Sequence, residues 1–312
     1  MDLSVVIVTR NTCSQTLEAI ASVFDNADSF SKEIIVVDNG STDDTPRMVL
    51  EKYPAVNYHN AGRNLGFACA NNRGARDASG EFLLLLNSDA KLKPDSLEKA
   101  LAWMRAHPDC GIAGVQLLNA DGSLQNSIAN FPSLATELLN KSLLRRLFPK
   151  RFPGKEQRFT EPVEVETVVG AFLLTRKKIW DTFGGLDERY FFFLEETDFC
   201  LQVKRSGGRV MHLPHITVWH GQGQTARKTH VPARVEYWRS RYAYFKKNHG
   251  GGTLLVLRAG LLFRLFANVL ANGLATLFTL GRAEKCRHKL HEQFALLRWH
   301  LRGCPAKMGL PR

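Results

Sequence analysis

The sequence predicts an α/β fold, in which a doubly wound, mostly parallel sheet is followed by a C-terminal helical appendage. Three observations predict it. Strand-like and helix-like segments alternate over roughly the first ninety residues. The strand-like segments are continuous apolar runs, which are typical of strands buried on both faces of a parallel sheet. The last third of the chain instead consists of long segments with helical periodicity.

Each predicted helix in the first part of the chain lies between two predicted strands, which is the order of βαβ units. The strands are predicted at residues 3–9, 33–37, 53–58 and 81–86, and the helices at residues 16–24, 45–52 and 64–77. The polar turn at residues 39–43 supplies side chains that can cap the helix beginning at Thr45.

The next part of the chain continues this domain with less regular spacing. It is predicted to contain a helix at 94–106 that begins with a proline, strands at 111–118 and 168–175, turns at 119–122 and 184–185, a helix that begins near Leu194, and short strands at 209–213 and 216–219. Residues 131–161 are irregular and basic, which predicts a mobile surface loop that could act as a lid or contact an acceptor.

Polar residues follow several of the predicted strands. Thr9, Asp38 and Asp89 lie at carboxyl ends, where ligands bind in sheets of this type. Turn formation or helix capping would explain each acid singly, but two acids that bracket one crevice favour a ligand site. No GxGxxG follows the first strand and the chain contains no GxxxxGK[ST], so a dinucleotide oxidoreductase or a P-loop protein loses its main support.

A cluster of acids follows a run of bulky residues in the middle of the chain. Residues 191–194 precede Glu195, Glu196 and Asp198. Carboxylates against aromatic surface are costly unless they meet a cation, a hydrogen bond or a proton, so this cluster is a candidate site. Acids in the first turn of a helix also complement the helix dipole, which is the structural alternative.

His220 follows the last short strand. A lone histidine in such a place is more often structural than a ligand. However, Asp89 by itself offers too few ligands for a divalent cation, and a histidine beside it suits Mn²⁺ as well as Mg²⁺. Asp89 and His220 are therefore candidate metal ligands.

The charge of the chain is unevenly distributed. The 312 residues carry a net charge of +12, and 17 Lys and Arg against 3 Asp and Glu lie in residues 221–312. A positive surface attracts phosphates, whether on nucleic acid, lipid headgroups or substrates. The six scattered cysteines predict reduced thiols in a cytosolic compartment, and the N-terminus does not have the pattern of a signal peptide.

The most apolar segment of the chain is residues 253–280, which follow a helix predicted at 232–248. Arg258 and Arg264 interrupt the apolar segment. Polar residues recur within it at every fourth position, which favours an interfacial membrane helix or a packed helical hairpin over a membrane span. These polar residues are Arg264, Asn268, Asn272 and Thr276.

A last predicted helix carries apolar and basic residues on different sides. This pattern is typical either of a membrane-surface helix or of a packed helix with a solvated face. The apolar residues are Leu290, Phe294, Leu297 and Leu301, and the basic residues are Lys285, Lys289, Arg298 and Arg302.

Six motifs, in this order along the chain, resemble the family-2 inverting glycosyltransferases of the GT-A fold. They are SVVIVTRN, EIIVVDNGSTDDT, NLGFACANNRG, LLLLNSDA, VGAFLLTRKKIWDTFGGLDERYFFFLEETDFC and VWHGQG. Within that family, the chain is most similar to bacterial rhamnosyltransferases that build lipopolysaccharide, O-antigen or other envelope glycans. The resemblance covers residues 1 to about 222.

The resemblance implies a nucleotide-sugar site at the strand ends. Asp38, with Thr9 nearby, would hold the base and ribose, while Asp89 and His220 would bind Mg²⁺ or Mn²⁺ on the donor diphosphate. Asn87 stands where the family often has a first acid, which leaves one fewer carboxylate for the metal. The implied nucleotide-sugar-binding residues are Thr9, Asn11, Asp38, Asn64, Gly66, Asn72, Asn87, Ser88 and Asp89.

The resemblance also implies a catalytic base. In the family's Glu-Asp motif the second acid is the base, and Glu196 occupies that position, with Glu195 as the fallback. Gly170, Ala171 and Asp198 would contact the acceptor. The implied reaction transfers a sugar, rhamnose from dTDP-rhamnose, to a hydroxyl of a cell-envelope glycan or lipid-linked acceptor, by direct displacement with inversion.

These inferences predict two domains. Residues 1–230 would form the catalytic domain, with 1–118 as the nucleotide-sugar half and 119–230 as the acceptor and catalytic half. Residues 231–312 would form a basic amphipathic tail attached peripherally to the cytoplasmic face of the inner membrane.

Two alternative functions stay open. One is a nucleotidyltransferase with the same crevice architecture, and the other is a non-catalytic nucleic-acid-binding protein that uses the basic tail. The strand-end acids would repel a phosphate backbone, so no nucleic-acid partner is expected.

Overall fold

The computed structural model describes residues 1–26, 29–149, 151–152, 158–221, 230–279, 282 and 284–312. The chain forms two compact units. The first unit consists of Met1–Phe131 and Pro149–Gln222, and the second consists of Pro132–Phe148 and Gly223–Arg312. Residues 132–148 therefore belong with the C-terminal region and not with the sequence that flanks them.

Strands are described only in the first unit. They are β1 (Leu3–Thr9), β2 (Lys32–Asp38), β3 (Asn57–Asn60), β4 (Phe82–Asn87), β5 (Ala90–Leu92), β6 (Cys110–Leu118), β7 (Ile128–Ala129), β8 (Val163–Glu164), β9 (Thr167–Val168), β10 (Phe172–Arg176) and β11 (Arg209–His220).

Helices occur in both units. Those of the first unit are α1 (Cys13–Phe24), α2 (Thr45–Lys52), α3 (Phe67–Arg76), α4 (Ser96–Ala106), α7 (Lys177–Phe183) and α8 (Glu195–Arg205). Those of the second unit are α5 (Leu134–Leu138), α6 (Lys141–Leu147), α9 (His230–Asn248), α10 (Gly250–Phe278) and α11 (Glu284–Leu301), followed by a 3₁₀ turn at Ala306–Met308.

The main sheet has the strand order β3-β2-β1-β4-β10-β6-β11-β5, and β8 pairs with β11. Strands β3, β2, β1 and β4 run parallel, and β10 is antiparallel to both of its neighbours. Strand β11 is parallel to β6 and antiparallel to β5. Strands β7 and β9 form a separate pair. This mixed, mostly parallel sheet confirms the predicted α/β fold.

Hydrophobic side chains cover both faces of the sheet, because successive residues of a buried strand point to opposite sides. In β1, Val5 lies in one buried cluster, which includes Leu97 of α4. Val6 lies in the other cluster, which includes Phe199 of α8. The continuous apolar runs that predicted these strands are therefore explained by helices on both faces.

Several predicted boundaries differ from the structure. The two short strands predicted at 209–213 and 216–219 are one strand, β11, whose register shifts between Leu213 and Thr217. Pro214 lies in that interval and has no backbone N–H to donate to a neighbouring strand. The strand predicted at 53–58 is instead β3, and α4 begins at Ser96, after Asp95 in the left-handed conformation.

The segment predicted as a mobile loop at 131–161 is partly helical, which corrects that expectation. It contains α5 and α6. Ser133 caps α5, since its hydroxyl accepts a hydrogen bond from the backbone N–H of Thr136 while Thr136 Oγ1 accepts one from the Ser133 N–H. Residues 150 and 153–157 of the predicted loop lie outside the described residues.

Glu166 joins the two ends of this segment within the first unit. Its carboxylate accepts hydrogen bonds from the backbone N–H of Phe131 at 2.7 Å and from Asn130 Nδ2 at 3.1 Å, and it pairs with Arg151. Asn130 Nδ2 also donates to the backbone oxygen of Arg151 at 3.1 Å. The chain therefore leaves and re-enters the first unit at neighbouring points.

Helix α10 is one continuous helix and not a hairpin. Leu254, Leu257, Leu261 and Leu265 are buried on one side of it. A set of exposed large apolar residues, here called the apolar stripe, lies on the other side. Its members are Leu255, Val256, Leu262, Phe263, Phe266, Leu270, Leu274, Leu277 and Phe278. By length and composition alone α10 could cross a membrane, although the core helix of a soluble protein can pass the same test.

Helix α11 does not present the apolar face that its sequence predicts. Leu296 and Trp299 are its buried side chains, whereas Phe294 and Leu301 are exposed. Trp299 Nε1 donates to the backbone oxygen of Pro305 at 3.2 Å. Helix α11 therefore packs through Leu296 and Trp299, and the membrane-surface alternative stays a prediction.

Candidate functional site

The carboxyl ends of the central parallel strands bring the predicted polar residues to one edge of the sheet. Thr9 of β1 is in register with Asp38 of β2. On the other side of β1, Val8 is in register with Asn87 of β4. Residues 9, 38 and 87–89 therefore lie along the same edge, as the sequence predicts.

Asp38 is fully buried at this edge. Its Oδ1 accepts a hydrogen bond from the backbone N–H of Ser41 at 2.7 Å, and its Oδ2 accepts one from the hydroxyl of Tyr58 at 2.5 Å. Burial and the bond to Asp38 raise the pKa of Tyr58, so the tyrosine stays a hydrogen-bond donor at neutral pH. The backbone of this turn is thus held by the Asp38 carboxylate.

The loop after β1 is tied to its neighbours by short polar contacts. Thr9 is buried, and its hydroxyl lies 2.6 Å from that of Thr16. Asn11 has a positive φ of 53°, and its Oδ1 accepts from the backbone N–H of Thr42 at 2.7 Å. The hydroxyls of Thr12 and Ser88 lie 3.1 Å apart. These contacts hold the ends of β1, β2 and β4 together.

The Asn64–Gly66 turn packs directly against the residues that precede α8. Gly66 has a φ of 83°, and a Cβ placed there would lie 2.3 Å from the backbone oxygen of Phe191, so only glycine fits. The Gly66 N–H donates a hydrogen bond to Asn64 Oδ1 at 3.1 Å. Phe67 N–H donates to the same Phe191 oxygen at 2.8 Å.

Asn39 is a residue of this region that the sequence did not single out. It is buried, its Nδ2 donates to the backbone oxygen of Gly66 at 3.0 Å, and its Oδ1 accepts from Leu65 N–H at 3.3 Å. It joins the end of β2 to the turn before α3. Its position next to Asp38 is the only sequence signal that could have drawn attention to it.

Asn72 makes a structural contact that the amino-acid sequence did not predict. Its amide exchanges two hydrogen bonds with the backbone of Leu186, at 2.7 and 2.9 Å, and its Nδ2 reaches Glu188 at 3.1 Å. These bonds attach the loop after α7 to α3. The donor contact implied for Asn72 stays a prediction.

Asp89 and His220 lie together, because β11 pairs with β5 and places His220 opposite Ala90. His220 Nε2 is 3.3 Å from Asp89 Oδ1 and 3.3 Å from Asn87 Nδ2. Gly221 N–H donates to the Asp89 backbone oxygen at 2.8 Å. Two residues that are 131 positions apart in sequence are thus neighbours, as the candidate metal site requires.

Gln125 holds the His220 ring from the other side. Its Nε2 donates to the His220 backbone oxygen at 2.6 Å, which turns its Oε1 towards His220 Nδ1 at 3.1 Å. Since that oxygen can only accept, Nδ1 donates to it, and Nε2 is the ring nitrogen that faces Asp89 and Asn87. This is the orientation of a metal-binding histidine whose second nitrogen is hydrogen-bonded.

The side chains around Asp89 fit a divalent cation that also binds a phosphorylated ligand. Asn87 Oδ1 is buried and has no hydrogen-bond partner in the described structure. Among the described residues, no cluster of three or more His, Cys, Asp and Glu side chains is found. A cation held by Asp89, His220 and Asn87 would therefore complete its shell with ligand or water oxygens, as Mg²⁺ commonly does.

The two residues just before β10 connect this group to the acids of α8. Ala171 is buried, and its backbone oxygen accepts a hydrogen bond from Asn87 N–H at 3.1 Å. Next to it, a Cβ placed on Gly170 would lie 3.7 Å from the side chain of Glu196. Glu196 therefore lies at the same edge of the sheet as Asn87, with Gly170 and Ala171 between them.

Glu196 is the partly exposed acid of the cluster. Burial of its carboxyl raises its pKa, and the backbone N–H groups of Glu196 and Thr197 oppose that shift. A carboxyl with a raised pKa on a partly exposed residue suits a general base.

The two neighbouring acids are more deeply buried. Glu195 is 4% exposed and Asp198 is fully buried. Asp198 accepts hydrogen bonds from the hydroxyl of Tyr190 at 3.2 Å and from Gln202 Nε2 at 3.0 Å. These bonds give Asp198 a structural role in α8, while its implied acceptor contact stays a prediction.

The residues just before α8 have unusual backbone conformations. Phe193 and Leu194 have φ angles of 74° and 70°, in the left-handed region that bulky residues rarely adopt. Each such residue costs on the order of 1 kcal/mol or more. The strained pair immediately precedes Glu195 and sets the direction in which α8 begins.

Comparisons with known proteins identify a family that the chain matches. The family model described as Glycosyl transferase family 2 matches residues 4–183. The chain is 28% identical over 233 residues to N-acetylglucosaminyl-diphospho-decaprenol L-rhamnosyltransferase of Mycobacterium tuberculosis, which covers 70% of this chain and 76% of that protein. It is 26% identical over 259 residues to dTDP-rhamnosyl transferase RfbF of Shigella flexneri, with coverage of 78% and 80%.

A solved structure shares the fold. The mannosyltransferase PcManGT from Pyrobaculum calidifontis, in complex with GDP-Man and Mn²⁺, has a TM-score of 0.54 and 18% sequence identity to this chain. The likeness covers 96% of this chain and 86% of that one. At that identity it shows the common fold alone.

Proposed function

The chain belongs to glycosyl transferase family 2 and is a glycosyltransferase, and we propose that its donor is dTDP-rhamnose and its acceptor a hydroxyl of a cell-envelope glycan or lipid-linked sugar. The rhamnosyltransferases among its relatives support this donor. Family membership favours sugar transfer over nucleotidyl transfer, the enzymatic alternative left open by the sequence.

One observation carries the proposed mechanism. Asp89 and His220, on one side, and Glu196, on the other, lie at the same edge of the sheet and are linked through Asn87, Ala171 and Gly170. Sugar transfer needs two chemical functions in one crevice, charge stabilisation on the departing diphosphate and a base for the attacking hydroxyl. The two groups of side chains supply one function each.

The donor half of the reaction depends on Asp89, His220 and Asn87. A divalent cation bound there would stabilise the negative charge of the departing diphosphate. Gln125 holds the His220 ring so that Nε2 is directed towards Asp89. Asp38 and Thr9 hold the strand-end turns against which the base and ribose bind.

In the acceptor half of the reaction, Glu196 accepts the proton of the hydroxyl that attacks the anomeric carbon. A new C–O bond to the acceptor forms as the bond to the diphosphate breaks, and attack from the opposite face inverts the anomeric centre. One carboxylate is sufficient for this single displacement, unlike the pair required by a retaining hydrolase. Glu195 is more deeply buried and remains the second choice for the base.

A donor screen tests this proposal. Purified protein is incubated with UDP-, GDP- and dTDP-sugars and an acceptor extract, and the released nucleotide is quantified, with Asp89→Ala as the inactive control. We expect release of dTDP from dTDP-rhamnose. Release of only UDP or GDP would overturn the donor assignment, and formation of pyrophosphate from sugar-1-phosphate plus NTP would overturn sugar transfer.

The apolar stripe of α10 supports attachment of the enzyme to the cytoplasmic face of the inner membrane. A continuous set of exposed Leu and Phe side chains on one helix is unusual for a surface in water. Lys246 and Lys247 precede α10, and Arg282 and Arg287 follow it, so cations flank the stripe and can bind anionic lipid headgroups. A bilayer surface is therefore the proposed partner.

Liposome flotation tests this attachment. Replacing Phe263, Phe266 and Leu277 by Ser should reduce binding to anionic liposomes more than tenfold, because each apolar side chain contributes about 1.5–3 kcal/mol when buried. Leu50→Ser, a change at a similarly exposed leucine of the first unit, is the control. Full binding by the triple variant would contradict the assignment.

A further inference from the structure

The second unit contains a cavity of about 770 Å³ that is separate from the site described above. Helices α5, α6, α9, α10 and α11 all contribute residues to it. Five cationic side chains line the cavity, against the two carboxylates of Glu137 and Glu292. The cations are Lys141, Arg234, Arg241, Arg264 and Lys289.

Arg241 forms the buried part of this cavity. Its side chain is 5% exposed and pairs through Nη1 with Glu137, itself 6% exposed, at 2.8 Å. Arg241 Nε is buried and has no hydrogen-bond partner in the described structure. Glu137 therefore neutralises one arginine, while one buried guanidinium N–H has no hydrogen-bond acceptor among the described residues.

Arg264 is held at the same place by the backbone. Its Nη1 donates to the backbone oxygen of Glu137 at 2.9 Å. Burial lowers the pKa of Arg264, and the positive charges of Arg241 and Arg234 add to that effect. Arg241 and Arg234 thus repel Arg264, the Glu137 carboxylate offsets part of that repulsion, and an anion placed beside Arg264 would relieve more of it.

The polar stripe of α10 that the sequence predicts also lines the cavity. Asn268 and Asn272 lie one and two turns after Arg264, and all three line the cavity. The amide of Asn272 reaches Gln293 of α11 at 3.3 Å. Residues on this side of the helix are about 180° from the centre of the apolar stripe, at 100° per residue. An apolar stripe in a bilayer would therefore leave the cavity facing water.

We propose that this cavity binds the diphosphate group of a molecule that enters it from water. Guanidinium groups recognise phosphate oxygens through paired N–H donors, and the excess of cations over carboxylates matches the multiple negative charge of a diphosphate. Its volume leaves space for a substituent on that group. The site does not depend on which sugar the enzyme transfers.

Titration calorimetry with inorganic pyrophosphate tests the proposal on the full-length protein in EDTA. The test variant is Arg234→Gln combined with Lys289→Gln, two exposed cations of the cavity. The control is Lys246→Gln combined with Lys307→Gln, two exposed cations that do not line it. An Asp89→Ala variant separates this binding from binding at the sheet edge.

We expect pyrophosphate to bind wild type, the control and Asp89→Ala alike, and the test variant about tenfold more weakly, because two of the five cations that line the cavity are removed. Binding should also weaken as salt is raised. Equal affinity in the test variant, or loss of binding in Asp89→Ala, would overturn the proposal. Cavity-dependent binding to phosphatidic acid vesicles without pyrophosphate binding would overturn entry from water.

Discussion

The orientation of His220 by Gln125 gives a sharp prediction for metal binding. In Gln125→Leu the side-chain volume is largely kept, but both hydrogen bonds to His220 are lost, those of 2.6 and 3.1 Å. A net contribution of about 1 kcal/mol for each bond amounts to about 2 kcal/mol. The affinity for Mn²⁺ should therefore fall about thirtyfold, within the range of 10- to 100-fold usual for partners of metal ligands.

Electron paramagnetic resonance of free Mn²⁺, titrated with protein in the presence of dTDP, measures this affinity without turnover. Asn119→Ala is the matched control, because Asn119 lies in the same turn region and its amide donates to Ser123 and not to His220. Circular dichroism melting checks that each variant is folded. Unchanged Mn²⁺ affinity in folded Gln125→Leu, or an equal loss in Asn119→Ala, would refute the role assigned to Gln125.

Three further predictions concern the acids and the backbone. Glu196→Gln should lower kcat at least about 100-fold. Wild-type kcat/KM should fall towards low pH as the raised pKa of Glu196 is crossed, and this fall should disappear in Glu196→Gln. Near-normal turnover in Glu196→Gln, together with loss of turnover in Glu195→Gln, would identify Glu195 as the base. In urea unfolding, Phe193→Gly should be about 0.5–1 kcal/mol more stable than Phe193→Ala. Glycine relieves the strain of the left-handed conformation at position 193, and this gain exceeds the loss of stability from the greater entropy of the unfolded glycine variant. A more stable alanine variant would contradict this reasoning. Burial lowers the pKa of His212 to about 4, so the unfolded state binds more protons than the folded state below pH 6.5. The free energy of unfolding should therefore fall by about 3 kcal/mol between pH 6.5 and pH 4. His212→Leu should abolish that fall, and the same pH profile in the variant as in wild type would contradict the role of His212.

The strands and the edge of the sheet follow directly from local sequence. Apolar runs such as the one that forms β1 have only one stable place, inside a sheet covered on both faces. Thr9, Asp38 and Asp89 end such runs, so their common edge follows from parallel pairing. Helix α8 is also predictable, since its acidic first turn and apolar side are both local features.

Contacts between distant residues could not be read from the sequence. Gln125 and His220 are 95 positions apart, and no periodic pattern links them. The same is true of Asn72 and Leu186, which are 114 positions apart. Residues 132–148 are too short and too basic to indicate helices by periodicity. Their helices are stabilised by tertiary contacts such as the ion pair of Glu137 with Arg241.

Glu166 holds the residues on either side of the 132–148 segment, so this segment is an insertion in the chain of the first unit. Its removal need not open the first unit, because Asn130 and Arg151 are already hydrogen-bonded to each other. A protein truncated only at its C-terminus would retain Glu137 without its counter-ion, and that orphaned carboxylate would promote misfolding or aggregation. A soluble fragment suited to crystallisation therefore requires two excisions, with a short glycine-rich linker between Phe131 and Pro149 and a stop codon shortly after Gly221.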